Sequence, residues 1–562
     1  MPQQSRIQAL CAPFFNVFQI FKAIEKRFFR AKRIIKGKGF AFMSVECAVT
    51  VKCGQETVSI TAPYNESLFA LLLRRGFLQH RDTACGGCGL CGKCTVKAAG
   101  RLSKMNAEER SMLGDELVSK GYRLACCCYI KGDCTITVPD KREASQKNAE
   151  SVQRGYGISM DIGDSVVTAS LQDLSKNIQL DIISQANAQA DMGDAENRVR
   201  IWKEGGAAKL RALLTSQLDS ITDELMFKNG VTAISRICAV GSTCMLHMLA
   251  GVDISGLPQN PLTCDNLALS GREASLAKAP EAAVELCGAI SGSIGSDTVA
   301  AALVTGMYKS LMPVLLINFG AEVNILMGNS SVLLACSVPM GDIFEGRNIT
   351  CGVPVRPGAI YKLWKEKYKV CYRTVDGKAP IGLCGCALFE ALELMLDVGI
   401  IDASGRMLRP EELRPSKLRM LGTVKGEQVF FIDRKHKIYI TQEDVYRIQH
   451  AKAAVLAAVR CMFEQFDITE PADMSAVYLG GIFGGMISPK TAVNTGLLPA
   501  LCEKICYGIG NAAIEGATIM LRSARARATA EHVRTYARLF NAENTADYSR
   551  ILKESERFAR PE

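Results

Sequence analysis

The chain is 562 residues long with 48% hydrophobic and 22% charged residues, which excludes wholesale disorder, a fibrous chain and a single small module. Its formal charge is +10, yet residues 1–42 hold nine Lys/Arg against Glu25 alone, so the other 520 residues carry only about +2. That balance excludes a nucleic-acid groove spread over a domain, and no run approaches the ~18 apolar residues of a membrane span.

Cysteine is the compositional outlier. There are 23, of which eight lie between Cys85 and Cys134. No secretory signal is visible, so a reducing cytoplasm is the expected location rather than a disulfide-forming one. Scattered cysteines read as small buried hydrophobes. The crowded eight need a chemical explanation.

In chain order, residues 14–35 come first. Phe14, Val17, Phe18, Ile20, Phe21, Ile24, Phe28 and Ile35 fall on one helical face, and Lys22, Lys26, Arg27, Arg30 and Arg33 on the other. This is the pattern of a basic interfacial helix. A translated upstream stretch before Met43, or a helix docked on the body, explains it better than membrane contact. From Glu46, an alternating segment, a Gly54-Gln55 turn and Thr57–Ile60 predict a hairpin. A helix over about Glu66–Arg75 follows, with Leu68, Leu71 and Leu72 on one face. Then come a Gly- and Cys-rich loop at 85–94, a strand at Cys94–Lys97, a helix near Ala107–Lys120 and a strand Cys134–Val138. Residues 43–140 thus form one compact α/β module, and the polar stretch 141–155 reads as a linker.

The remainder, 156–562, alternates strand-like and helix-like runs. Gly157-Ile-Ser-Met-Asp161-Ile-Gly163 followed by Val166-Val-Thr-Ala resembles Val314-Leu-Leu-Ile-Asn318-Phe-Gly320 followed by Val323-Asn-Ile-Leu. Each is an apolar strand, a glycine turn and a second strand. The repeat predicts a duplicated domain with halves of about 156–312 and 313–562 and a cleft between them.

The loop Cys85-Gly-Gly-Cys88-Gly-Leu-Cys91-Gly-Lys-Cys94, with Cys126 thirty-two positions beyond Cys94, fits an iron–sulfur site. Such clusters take four thiolates, and glycines let a loop wrap closely. Cys85, Cys91, Cys94 and Cys126 give C-x5-C-x2-C with a distant fourth ligand, near the plant-type 2Fe-2S spacing. The rival set Cys85, Cys88, Cys91 and Cys94 has a 4Fe-4S rhythm without its usual ending, and zinc is compatible with the spacing. Cys127 or Cys128 could replace Cys126, and Cys88 and Cys134 have no assigned role.

With Gly121-Tyr-Arg-Leu-Ala-Cys126, Asn187-x-Gln189, Gly193-Asp194, Arg198, Gly241-Ser-Thr-Cys-Met245 and Phe344-Glu-Gly346-x-Asn348, the chain resembles the reductive activators of corrinoid-dependent proteins. Gly382-Leu-Cys384-Gly385, Asp444 with Ala451-Lys452-Ala453, Leu479-Gly-Gly-Ile-Phe-Gly484, Gly496-Leu-Leu-Pro499 and Gly510-Asn-Ala-Ala513 extend the likeness. The resemblance implies an N-terminal β-grasp 2Fe-2S ferredoxin-like domain followed by a duplicated actin/sugar-kinase-like (ribonuclease H-like) α/β domain. It implies electron transfer that returns corrinoid cobalt to its monovalent state. ATP and Mg²⁺ are implied at Asp161, Gly163, Ser165, Gly320, Gly480, Gly481, Gly484 and Asn511. Implied partners are a corrinoid protein or methyltransferase and a low-potential electron donor, with a homodimer as a further expected assembly. No catalytic residue is assigned.

The phosphate turns depart from the family pattern. Asp164 replaces a hydroxyl residue at the first turn, and Asn318 and Glu322 alter the second. Negative charge beside phosphate is unfavourable unless a cation intervenes, so weak or absent ATP hydrolysis is expected. A middle segment of longer relatives is also expected to be missing. The competing function is a catalytically degenerate redox sensor or partner-docking module. A sugar kinase leaves the cysteine loop unexplained.

Overall fold

The computed structural model describes residues 46–138 apart from 55, 65, 76, 79–93 and 106, then 155–257 apart from 193–194. It continues through 267–269 and 274–558, apart from 367–368. The expected helix at 14–35, residues 141–154 of the linker and most of the cysteine loop lie outside these residues.

β1 (Glu46–Cys53) buries Cys47, Val49, Val51 and Cys53 while the intervening residues face outward, the period of a half-buried strand. It pairs antiparallel with β2 (Glu56–Pro63) and parallel with β5 (Ile130–Val138). β3 (Thr95–Leu102) and β4 (Tyr122–Leu124) complete a five-stranded sheet in the order β2-β1-β5-β3-β4. The helix Leu68–Arg74 contributes fully buried Leu68, Leu71 and Leu72 to the core of this β-grasp unit. β3 and β5 run longer than their sequence signals because ladder pairing carries them through the polar positions.

The larger part contains two sheets built alike. β6 (Tyr156–Ile162), β7 (Val166–Asp173), β8 (Ile178–Ala186), β9 (Arg236–Gly241) and β10 (Ala283–Leu286) lie in the order β10-β9-β6-β7-β8. β11 (Val314–Phe319), β12 (Val323–Gly328) and β13 (Leu333–Val338) begin the second sheet. Two small three-stranded sheets intervene: β14 (Ala359–Glu366), β15 (Lys369–Thr374) and β16 (Gly382–Leu383), then β17 (Leu421–Val424), β18 (Glu427–Asp433) and β19 (Ile438–Thr441). β20 (Ala476–Gly480), β21 (Cys506–Gly510) and β22 (Arg538–Leu539) complete the order β21-β20-β11-β12-β13-β22.

In both sheets the first strand is central, with its antiparallel hairpin partner on one side and a later parallel strand on the other. The duplication read from the two glycine turns is therefore a duplication of topology. Register places Asp161 opposite Val240 and Asn318 opposite Gly480, at equivalent strand ends. A shared core joins the halves. Val240 from the first sheet, Leu316 and Leu326 from the second, and Val299, Ala300, Ala513 and Ala517 from two helices pack together. The strand ends that carry Asp161 and Asn318 mark the place of the expected cleft.

Candidate functional site

Two places carry chemistry. The first is the cluster turn. Cys94, 1% exposed, precedes β3, and its carbonyl accepts a hydrogen bond from the Ala125 N–H at 3.0 Å. Ala125–Cys127 form a 3-10 turn directly after β4. The fold thus brings the backbones of Cys94 and Cys126 together across 32 residues, because β3 and β4 pair with Thr95 opposite Leu124. Cys85, Cys88 and Cys91 lie outside the described residues. Of the other thiols, Cys128 and Cys134 belong to the domain core, where burial pushes them up to about 12 and about 11. Cys94 beside the 3-10 turn that carries Cys126, with a glycine-rich run of cysteines directly before it in sequence, fits a 2Fe-2S cluster.

The second is the cleft. Asp161 accepts from Asn511 Nδ2 at 2.9 Å, a contact between residues 350 apart. Asn511 also caps the helix Ala512–Arg522 by accepting from the Ile514 N–H. Asn318 Nδ2 donates to Asp297 Oδ2 at 2.9 Å and to Thr298 Oγ1 at 3.1 Å. The Ser337 hydroxyl donates to Glu322 at 2.6 Å. Ser165 donates to Glu345 Oε2 at 2.5 Å and accepts from Arg347 at 3.3 Å, so the second half ties down the first turn's remaining hydroxyl. Gly163 lies in the first turn, where its carbonyl accepts from Asn187 Nδ2 at 2.8 Å. Gly320 lies in the second, donating to the Glu322 carbonyl at 3.1 Å.

The cleft is acidic. Burial raises Asp161 to about 7, with the charge of Asp297 adding to the effect. Burial likewise raises Asp297 to about 6 and Glu322 to about 7, and the Asp164 charge contributes to both. Glu345 is raised by burial and eased by Ser165 and Arg347. Asp164 itself is compensated. Arg198, 1% exposed, donates to its Oδ1 at 2.5 Å and to its carbonyl at 2.7 Å.

Gly480, Gly481 and Gly484 sit where β20 turns into the short helix Gly481–Met486. Gly481 has φ 80°, and a Cβ there would lie 1.9 Å from the Phe319 carbonyl. A Cβ on Gly480 would lie 3.0 Å from Asn318 Oδ1, and one on Gly484 2.7 Å from the Leu479 carbonyl carbon. Packing alone requires small residues at this turn. Other motif residues serve the scaffold. Asp444 caps its helix and accepts from Thr350, and His247 is buried with Nδ1 2.8 Å from the Thr243 carbonyl.

Sequence reasoning missed Asp297 and the cross-cleft role of Glu345. Asp297 lies in the first turn of the helix Ser296–Thr305, where an acidic residue is common for dipole reasons and raises no flag. Glu345 meets Ser165 from 180 residues away.

Fold and site together define a ferredoxin-type domain fused to a duplicated actin/sugar-kinase-like domain. A family model for 2Fe-2S iron-sulfur cluster binding domains matches residues 51–131, one for the RACo middle region matches 156–310, and one for the C-terminal ASKHA domain of RACo matches 312–559. The chain belongs to this RACo family. The middle-region match corrects the expectation of a missing segment, since residues 156–310 are that region.

The corrinoid activation enzyme RamQ of Eubacterium limosum is 28% identical over 384 residues, 66% of this chain and 64% of the relative. This chain therefore spans just under two thirds of that relative. A Methanosarcina barkeri protein described as a [Co(II) methylated amine-specific corrinoid protein] reductase is 21% identical over 62% of this chain and 67% of its own. The solved structure of a reductive activator for corrinoid,iron-sulfur protein superposes with a TM-score of 0.64 at 23% identity, covering 91% of this chain and 98% of that one. No helix among the described residues is long and apolar enough to cross a membrane.

Proposed function

We propose that the protein is a cytoplasmic one-electron carrier that reactivates the cobalt of corrinoid-dependent methyltransferase proteins. The observation that carries this reading is the order of domains in one chain, a 2Fe-2S ferredoxin domain followed by RACo middle and C-terminal regions. Of two similar proteins, one is named for corrinoid activation and the other as a reductase of a Co(II) corrinoid protein. When bound, the cluster supplies single electrons, taking Co(II) to Co(I) without proton transfer. Cys85, Cys91, Cys94 and Cys126 are its proposed ligands. A low-potential donor re-reduces it, and the corrinoid protein docks on the C-terminal regions. A homodimer is a compatible assembly.

ATP with Mg²⁺ is a proposed ligand of Asp161, Gly163, Ser165, Gly320, Gly480, Gly481, Gly484 and Asn511. The acidic lining fits a triphosphate poorly. Arg198 is held by Asp164 and Ser165 by Glu345. Weak binding and little hydrolysis follow, and no step is routed through nucleotide. This occupied cleft also favours the second reading, a redox sensor or docking module.

The deciding experiment is an anaerobic titration of the reduced protein with Co(II) corrinoid proteins, with and without ATP, followed by corrinoid absorbance. Conversion to Co(I) is expected. If the cluster is visibly reduced while no corrinoid protein binds or changes oxidation state, the sensor reading replaces this one.

A further inference from the structure

Glu109 is a fully buried carboxylate in the helix Ala107–Ser119, in the ferredoxin-type domain and outside the cysteine loop. Arg123 binds it through both arms of its guanidinium, Nε to Oε1 at 2.7 Å and Nη2 to Oε2 at 2.9 Å. The same carboxylate accepts from the Leu124 N–H at 2.8 Å, two residues before Cys126. Arg123 Nη2 also donates to the Ser103 carbonyl at 3.1 Å. Ser103 then holds the far end of the turn. Its N–H donates to the Tyr129 carbonyl at 2.8 Å, and its Oγ accepts from the Tyr129 N–H at 3.0 Å. Cys128 Sγ lies 3.9 Å from Glu109 Oε1. The segment 124–129 is therefore clamped at both ends, by an ion pair whose carboxylate is buried and by one serine.

An ion pair removed from water is costly unless every arm is used. Here the Glu109 carboxylate and the Ser103 hydroxyl hold the backbone on either side of one proposed ligand, and Arg123 links the two, an arrangement that the core does not need for its apolar packing. The paired charges also act two residues from the proposed ligand Cys126, next to a group that would gain negative charge on reduction.

We propose that Glu109 and Arg123 are positioning residues for the cluster, holding the Cys126 turn against Cys94 and setting the reduction potential through their paired charges. The inference rests on a 2Fe-2S cluster ligated through Cys94 and Cys126, not on the identity of the electron acceptor. Glu109→Gln keeps the shape but leaves the guanidinium charge uncompensated, so the cluster becomes easier to reduce. Arg123→Gln leaves the carboxylate, so reduction becomes harder. A loosened fold would not give shifts of opposite sign.

The test is an anaerobic redox titration with electron paramagnetic resonance on the full chain, after iron analysis of the unaltered protein. About two irons per chain and a reducible 2Fe-2S signal establish the cluster, and their absence removes the cluster reading itself. With the cluster present, E109Q should raise the midpoint, R123Q should lower it, and the double variant should return near the original. Iron release to a chelator should be at least tenfold faster in each single variant. If R123Q does not load, R123K should load and restore the midpoint to near the original value, whereas failure of R123K to do so overturns the proposal. Unchanged midpoint and spectrum in E109Q, or shifts of the same sign in both single variants, also overturn it.

Discussion

Asp161 shows how one side chain can tie the cleft's chemistry to stability. Its folded pKa of about 7 lies well above the ordinary carboxylate range, chiefly through burial and then the Asp297 charge. The folded state therefore holds a proton that the unfolded chain releases near pH 4. Asp161 costs no stability below that pH, and the penalty grows between about pH 4 and 7 and is complete above it. Asp161→Asn keeps an acceptor for Asn511, so it should stabilise the protein by roughly 2–4 kcal/mol at pH 8 and scarcely at pH 4. Denaturant melts at both pH values check this, and equal effects at the two would contradict the assignment. Asp164 poses the complementary case, since it neutralises Arg198 and leaves that guanidinium unavailable to an anion. Asp164→Thr should therefore raise affinity for Mg-ATP by about tenfold, ~1.4 kcal/mol. A fluorescent-nucleotide titration that finds no gain in a folded variant would show that Arg198 does not face the phosphates.

At the level of elements, the long helix Gln442–Gln465 fastens the C-terminal helix Tyr548–Glu556 through Lys452. Its ammonium, fully buried, donates to the carbonyls of Ser555 at 2.5 Å and Arg557 at 2.7 Å and lies 4.7 Å from the Phe558 ring centre. Orphan carbonyls at a helix end need such a partner when water is excluded. Lys452→Met fills the space but abandons both carbonyls, so a loss of about 2–4 kcal/mol is expected, with earlier proteolysis after the helix Gln442–Gln465. A melt unchanged from the original would mean that water serves those carbonyls instead. This helix also marks where sequence reading reached and stopped. Ala451-Lys452-Ala453 was visible as a motif, but its partner lies about a hundred residues on, and nothing local says which carbonyls Lys452 serves. The β1–β2 hairpin and the helix Leu68–Arg74 were legible because their apolar periods are set by one buried face. β11 and β12 are buried on both faces, so they announced themselves only as apolar runs around a glycine turn. The cleft was half legible. Its turns were found from glycine and aspartate spacing, whereas Asp297 and Glu345 became neighbours only through the fold.

For the molecule as a whole, the repeated strand order accounts for most of the chain after residue 155, and the ferredoxin-type sheet accounts for the part from Glu46 to Val138. Within that sheet β1 already has β2 on one side and β5 on the other, so no backbone edge of β1 is left for the residues before it to pair with. The outer strands of the sheet are β2 and β4. The preceding residues also carry nearly all the excess positive charge, +8 of +10, while the body is balanced. Both arguments separate residues 1–42 from the folding of the domain and from the cluster. A chain beginning at Met43 should therefore be brown, carry about two irons, and melt within about 1 kcal/mol of the full-length protein. Iron analysis and paired denaturant melts measure this. A colourless or insoluble product would mean that the amphipathic stretch packs on the body, and its Phe and Ile face would then belong to the apolar core rather than to an appendage.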